Sequence, residues 1–501
     1  MGKLVALGLV PLALAGWMAS RADGTQDPIR RGGGQGQSRA RDYPLPTNGW
    51  AEGSLLLGNP TDRSVECVIH LKSDADAYLE FGATASALDR KSSTVALKAG
   101  VPTNVKLTGL KPGALTYYRL RFKKTGQGQF ESGPTYQVQT QRRPGDEFMF
   151  FVQGDSHPER VPKMHVPALY ERILLTATSQ KPDFFICMGD DFSVDTLRER
   201  TQQTVEGAYK KQVPYLGLVA HSAPIFLVNG NHEQAAKANL DGTPNSLGVW
   251  AQTARNRMFA QPAPDDFYSG NVEPVEHIGL LRNYFAWTWG DALFVTIDPY
   301  WHSDSPVDNA VGSGPANGGR QSRDLWDITL GDAQYKWLTK TLVESKAKYK
   351  FVFAHHVHGT GRGGIEQAPY YEWGGQDPRK GDVFSEKRPG WELPIHQLFV
   401  KTGVTIFFQG HDHIFCRQEL DGVIYQTCPC PADPSNSLLN GDAYRSGQKI
   451  EGAGLVRVTV GPQATKVDFV RAYEPSAETD SHKHGEIALT YSVPAPARGE
   501  E

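Results

Sequence analysis

The sequence predicts an all-β sandwich followed by a larger α/β domain, behind an N-terminal leader. Two patterns carry that expectation. From Trp50 to Gln141, short alternating runs are separated by turn residues and show no helical period. From Phe148 onward, apolar β-type runs alternate with helical stretches. A chain of 501 residues is also too long for one ordinary core, which agrees with at least two domains.

Residues 1–22 have the form of a secretory signal. Lys3 supplies the charged start, Leu4 to Ala15 the apolar run, and Ser20-Arg21-Ala22 the small residues of a cleavage site. About twelve apolar residues fall short of the roughly 20 that a bilayer span needs. Cleavage and export to a periplasm or beyond the cell are therefore expected, with no transmembrane span remaining. Residues 23–46 contain Arg30-Arg31-Gly32-Gly33-Gly34-Gln35-Gly36, polar and glycine-rich, and read as a flexible linker.

Residues 47–142 form the expected sandwich, with strands such as Val65 to Leu71 and Tyr117 to Phe122. The α/β domain is assigned to residues 146–475. Within it, Asp332 to Lys348 reads as a helix that places Tyr335, Leu338 and Leu342 on one face behind an Asp332 cap. Residues 476–501 read as a polar tail in which His482 and His484 are solvated. Cysteines number five, too few and too scattered for a disulfide scaffold. A turn at Asp421-Gly422 would set Cys416 opposite Thr427 rather than Cys428, so no specific bridge is expected.

The charge balance, 52 basic against 55 acidic residues, provides no global field to attract nucleic acid or an anionic membrane. Chemistry has to come from local clusters, and five apolar runs end in one. Phe148 to Gln153 leads into Gly154-Asp155-Ser156-His157, Phe184 to Met188 into Gly189-Asp190-Asp191, and Ile225 to Asn229 into Gly230-Asn231-His232-Glu233. Phe351 to Ala354 delivers His355-His356, and Val404 to Gln409 delivers Gly410-His411-Asp412-His413. In an open α/β sheet the carboxyl ends of neighbouring strands converge on one rim, so such residues can meet there. Glycine ahead of the ligand residues, present in four of the five clusters, would let the backbone turn sharply as it leaves the strand.

These motifs, in this order from Phe148 to about Tyr473, resemble the calcineurin-like metallophosphoesterase superfamily, which includes the purple acid phosphatases. Val105 to Leu120, with Gly109-Leu110-Lys111-Pro112-Gly113 and Tyr117-Tyr118-Arg119, resembles part of the fibronectin type III-like domain that precedes the phosphatase domain in purple acid phosphatases. The resemblance implies a two-sheet β-sandwich with helices on its outer faces (αββα). It further implies that Asp155, His157 and His413 bind one metal, that Asn231, His355 and His411 bind a second, and that Asp190 bridges the two.

His356 competes with His355 for its place; His355 lies nearer the strand end. Oxygen and imidazole ligands suit Fe, Mn or Zn. Purple acid phosphatases carry a metal-bound tyrosine after the second motif; this chain has none there, and His157 fills the gap.

By the same resemblance His232 contacts the phosphate and protonates the leaving group, with Glu233 orienting it. Asn231, Arg362 and His358 join His232 as candidate substrate contacts, Arg362 through its glycine-rich loop. The reaction implied is hydrolysis of a phosphorylated small molecule by a metal-activated hydroxide attacking phosphorus. Monoesters are the expected substrates, with phosphodiesters the first alternative and a non-catalytic metal-binding surface protein the second.

Overall fold

The computed structural model describes residues 44–305, 324–357 and 361–496. The expected signal and most of the linker lie outside these residues, as does His358. The N-terminal region is a β-sandwich. One sheet holds Gly53–Gly58, Ser64–Leu71 and Thr103–Thr108; the other is built around Ala75–Gly82, Leu115–Lys124 and Glu131–Gln139. Val65, Cys67 and Ile69 point inward at period two and meet Leu79, Leu120 and Phe122 from the facing sheet.

The run Leu55-Leu56-Leu57 is buried on both faces. Leu55 and Leu57 enter the sandwich core, whereas Leu56 packs into the core of the following domain. The helix Gln202–Ala220 lies against this strand, and at Gly217 an added Cβ would stand 3.0 Å from Ser54. Tyr118 donates to the carbonyl of His221 at 2.6 Å, and the His221 ring stacks on Tyr136 at 4.0 Å. His70 Nε2 meets the Met258 carbonyl at 3.0 Å. The sandwich is therefore docked onto the second domain through a packed, hydrogen-bonded seam.

The second domain has the αββα architecture. Its six-stranded sheet runs in the order Ile225–Leu227, Phe184–Cys187, Phe148–Gln153, Gly454–Val460, Ala464–Arg471, Ile487–Pro494. The facing eight-stranded sheet is centred on Ala292–Thr296, Tyr349–Phe353, Ile406–Gln409 and Val423–Thr427, all mutually parallel in sequence of neighbours. Strand alternation divides the side chains. Phe148, Phe150 and Val152 face the partner sheet, where Phe150 lies 5.2 Å from Phe294 and, within its own sheet, 5.1 Å from Phe184. Phe151 on the opposite face meets the helices Pro167–Ser179 and Gln202–Ala220. Val352 and Phe407 likewise back onto the helices Gly331–Glu344 and Ile395–Thr402.

Several local expectations need correction. The helix at Gly331–Glu344 does bury Tyr335, Leu338 and Leu342, but Asp332 lies inside its first turn and accepts the Trp391 indole N–H at 2.7 Å instead of capping. The C-terminal stretch is not merely a tail. Ile487–Pro494 forms the edge strand of the six-stranded sheet, and Leu489, Tyr491 and Val493 pack beneath it. His484 is held between Thr176 Oγ1 at 2.8 Å and the Tyr473 amide at 3.2 Å, so it is not simply solvated. Cys416 pairs with Thr427 across the Asp421-Gly422 turn, and all five cysteines are buried free thiols.

Candidate metal centre

The strands Phe148–Gln153, Phe184–Cys187 and Ile225–Leu227 are parallel neighbours, as are Tyr349–Phe353 and Ile406–Gln409 in the facing sheet. All five tips open on one rim, and their side chains converge. Donor atoms within each of four overlapping groups lie within 4.8 Å of one another: Asp155–His157–His413, Asp155–Asp190–His355, His157–Asp190–His232 and His355–His356–His411.

The backbone is bent to achieve this. His157, Asp190, His411 and His413 take φ of 42°, 57°, 65° and 62°, left-handed values that cost a non-glycine residue of order 1–3 kcal/mol each. The sharp turn is thus made largely by the candidate ligand residues themselves. The preceding glycines serve mainly close approach: a Cβ on Gly410 would stand 2.4 Å from Asp155 Oδ1, and one on Gly230 2.3 Å from Asp190 Oδ1.

Asp155 Oδ2 lies 2.9 Å from His413 Nε2 and 3.7 Å from His157 Nε2, and the two imidazole nitrogens are 3.1 Å apart. Asp190 Oδ2 lies 3.0 Å from His355 Nε2 and 3.9 Å from His157 Nε2; His411 Nδ1 is 3.3 Å from His355 Nε2. Donors about 2.1 Å from a shared ion stand roughly 3.0–3.4 Å from each other, close to the 2.9 to 3.3 Å of the four shorter pairs, while the two contacts of His157 Nε2 with the carboxylates are longer. His157 Nδ1 is bonded to Glu159 at 3.0 Å and His355 Nδ1 to the Met188 carbonyl at 2.7 Å. Each ring is thereby fixed with Nε2 turned inward, the usual support of a ligating histidine.

Asp155 Oδ2 and His413 Nδ1 are buried without a hydrogen-bond partner of good geometry. The donor set fits cations. Burial opposes charge on Asp155, yet His355 and His413 hold its carboxyl well below the usual range. Burial also opposes charge on His157 and His355, but the carboxylates lift them to about 9 and about 10.

His232, also buried, is oriented differently from expectation. Its Nδ1 faces Asp195 at 2.7 Å, not Glu233. Glu233 instead accepts the amides of Gly230, Asp190, Asp191 and Phe192 and so holds the Asp190 turn against the Asn231 loop. Asn231 is buried in that loop, and its carbonyl takes the Gln234 amide at 2.7 Å.

Arg362 is turned toward the protein: Nη1 donates to the His411 carbonyl and to buried Asp412, both at 3.0 Å. Asp412 also accepts Gly363 N at 2.8 Å and Tyr444 Oη at 2.6 Å, locking the His411–His413 turn. His356 stacks on His411 at 4.1 Å and takes the Tyr300 hydroxyl on Nδ1 at 2.7 Å.

Sequence reasoning missed Asp195 and Arg160, whose Nη2 stands 3.0 Å from His232 Nε2. The only signal for Arg160 was its position three residues beyond His157.

Paired sheets clothed by helices, with Asp and His gathered at the strand tips, define a metal-dependent phosphoesterase. The calcineurin-like phosphoesterase family model matches residues 148–415, more than half of the chain, and the chain belongs to that family. Among solved structures it is similar to PhoD, with 14% identity, a TM-score of 0.60 and coverage of 88% of this chain and 90% of that one. It is also similar to the purple acid phosphatase PPD1 from yellow lupin (Lupinus luteus) seeds, with 14% identity, a TM-score of 0.53 and coverage of 88% and 74%. At such identities the likeness concerns the fold. A search of curated proteins gave no match.

Proposed function

We propose that the chain is an exported hydrolase of phosphate monoesters. The observation that supports this most is the joining of Asp155, Asp190, His157, His355, His411 and His413 in overlapping clusters, one of which includes His232. In this reading Asp155, His157 and His413 hold one metal, Asn231, His355 and His411 the other, and Asp190 bridges. The metals, when bound, lower the pKa of water and neutralise phosphoryl charge. His232, fixed by Asp195, delivers a proton to the leaving oxygen. Arg362 and Glu233 act as positioning residues for the turns that carry the ligands.

The leader, Lys3 with Leu4 to Ala15, supports export, and among the described residues no helix is long and apolar enough to cross a membrane. Residues 47–142 would serve as a separate fibronectin type III-like module docked beside the catalytic domain. The test is to compare hydrolysis of p-nitrophenyl phosphate with that of its bis-ester, before and after chelation and restoration with Fe, Mn or Zn. Faster, chelator-sensitive turnover of the monoester is expected. A preference for the bis-ester would make the protein a phosphodiesterase, and chelator-insensitive inactivity towards both would leave a metal-binding surface protein.

A further inference from the structure

We infer that Arg160 binds the phosphoryl group beside His232 and is what favours a doubly charged monoester over a singly charged diester. This rests on the monoesterase reading and names a residue that sets its substrate preference. Arg160 ends the single turn Pro158–Arg160 that follows His157. Its Nε lies 3.1 Å from Glu159 Oε1, its Nη1 3.3 Å from Met164 Sδ and its Nη2 3.0 Å from His232 Nε2. Glu159 Oε1 also takes Nδ1 of His157 at 3.0 Å. One carboxylate therefore holds both a candidate metal ligand and the guanidinium in a fixed relation.

Of the three side chains, that of Arg160 is the most accessible to solvent. The side chains of His157 and His232 are 0% and 3% exposed, whereas that of Arg160 is 28% exposed. An incoming anion reaches Arg160 at the edge of the buried histidines. A guanidinium carries five N–H donors, and the three contacts above leave the fork able to donate to an oxygen shared with His232. Arg362, the cation singled out from the sequence, is committed by Nη1 to Asp412 and the His411 carbonyl. A phosphate monoester presents one more non-bridging oxygen and one more negative charge than a diester. Arg160 answers both, since planar, charged recognition of phosphate is what arginine does better than lysine.

The experiment uses the metal-loaded full chain and the variants R160A, R160Q and R160K, with circular dichroism and metal content confirming that each is folded and loaded. Removal of one such donor costs on the order of 10²-fold. R160A and R160Q should lose that much kcat/KM towards p-nitrophenyl phosphate but only about fivefold or less towards the bis-ester, with R160K intermediate. Binding of inorganic phosphate, followed by calorimetry, should weaken in parallel, and added guanidinium should partly restore R160A. Equal losses for both esters, or no loss for either, would overturn the inference. If the wild-type protein hydrolyses neither ester with metal restored, the phosphoesterase reading itself fails, a different result from an altered ratio.

Discussion

Both carboxylate oxygens of Asp195 sit on one nitrogen of His232, at 2.7 and 2.8 Å from Nδ1. That contact fixes the ring so that Nε2 faces the site, 3.7 Å from Asp190 Oδ2. Burial opposes charge on His232, but Asp190 and Asp195 together hold its pKa above the ordinary value. Asp195→Asn should lower turnover roughly 10- to 100-fold, and His232→Ala on the order of 10²-fold or more, with metal content unchanged in both. Elemental analysis beside steady-state rates checks this; near-normal turnover of His232→Ala would remove it from the mechanism.

Gly410 and Gly230 give a steric prediction. A methyl group at either position enters the space of Asp155 Oδ1 or Asp190 Oδ1 at 2.4 and 2.3 Å. Since packed interiors tolerate such intrusion only by moving, Gly410→Ala should cost about 1–3 kcal/mol and displace a ligand. Denaturant melts and metal titration should show both effects. A variant with wild-type affinity for both metals would mean that Asp155 is not a ligand.

The seam between the sandwich and the phosphoesterase domain should weaken in acid. Burial pushes both His70 and His221 down to about 4. Exposed histidine titrates near 6.5, so between about pH 6.5 and 4 the unfolded chain binds more protons than the folded one. The stabilisation is complete above that window and is lost as pH falls through it, by at most about 2 kcal/mol per histidine at pH 5. Melting temperatures of the wild type and of the double variant His70→Gln/His221→Gln, recorded from pH 7 to 5, provide the check. The variant should show the flatter profile; identical slopes would place the acid sensitivity elsewhere.

The aromatic layer between the sheets backs the rim. Phe150 touches Phe184, Phe294, Phe351, Phe353 and Phe408, rings contributed by both sheets. Phe150→Ala should lose about 3–5 kcal/mol, because the cavity it leaves is walled by strands that cannot collapse onto it. Chemical denaturation measures this, and a loss under about 1 kcal/mol would show that the sheets are held by something else.

The five strand tips were legible because each combines a run of apolar β-formers with an abrupt glycine or polar cluster, a contrast that survives in sequence. Their convergence followed from the parallel order. Asp195 and Arg160 were not legible, since Asp195 follows its motif through irregular loop and Arg160 ends a single turn whose direction the motif does not specify. Glu233 beside His232 suggested a pair, but a carboxylate one residue away points along the chain, and the nearby amides claim it. The edge strand Ile487–Pro494 was hidden for another reason. Five of its eight residues are exposed, and the polar stretch just before it made the whole segment read as a tail although Leu489, Tyr491 and Val493 alternate correctly. Asp332 looked like a cap because a left-handed Gly331, which starts the helix one residue earlier, is invisible in sequence.

In the proposed site Asp190 joins two cations to the strand tips. Metal stoichiometry of the purified wild-type chain and of Asp190→Asn, measured by mass spectrometry after restoration and compared with hydrolysis of p-nitrophenyl phosphate, tests it most directly. Two ions per wild-type chain, one or fewer in the variant, and loss of turnover in step are expected. Full turnover by a metal-free chain, or two tightly held ions in the variant, would contradict it.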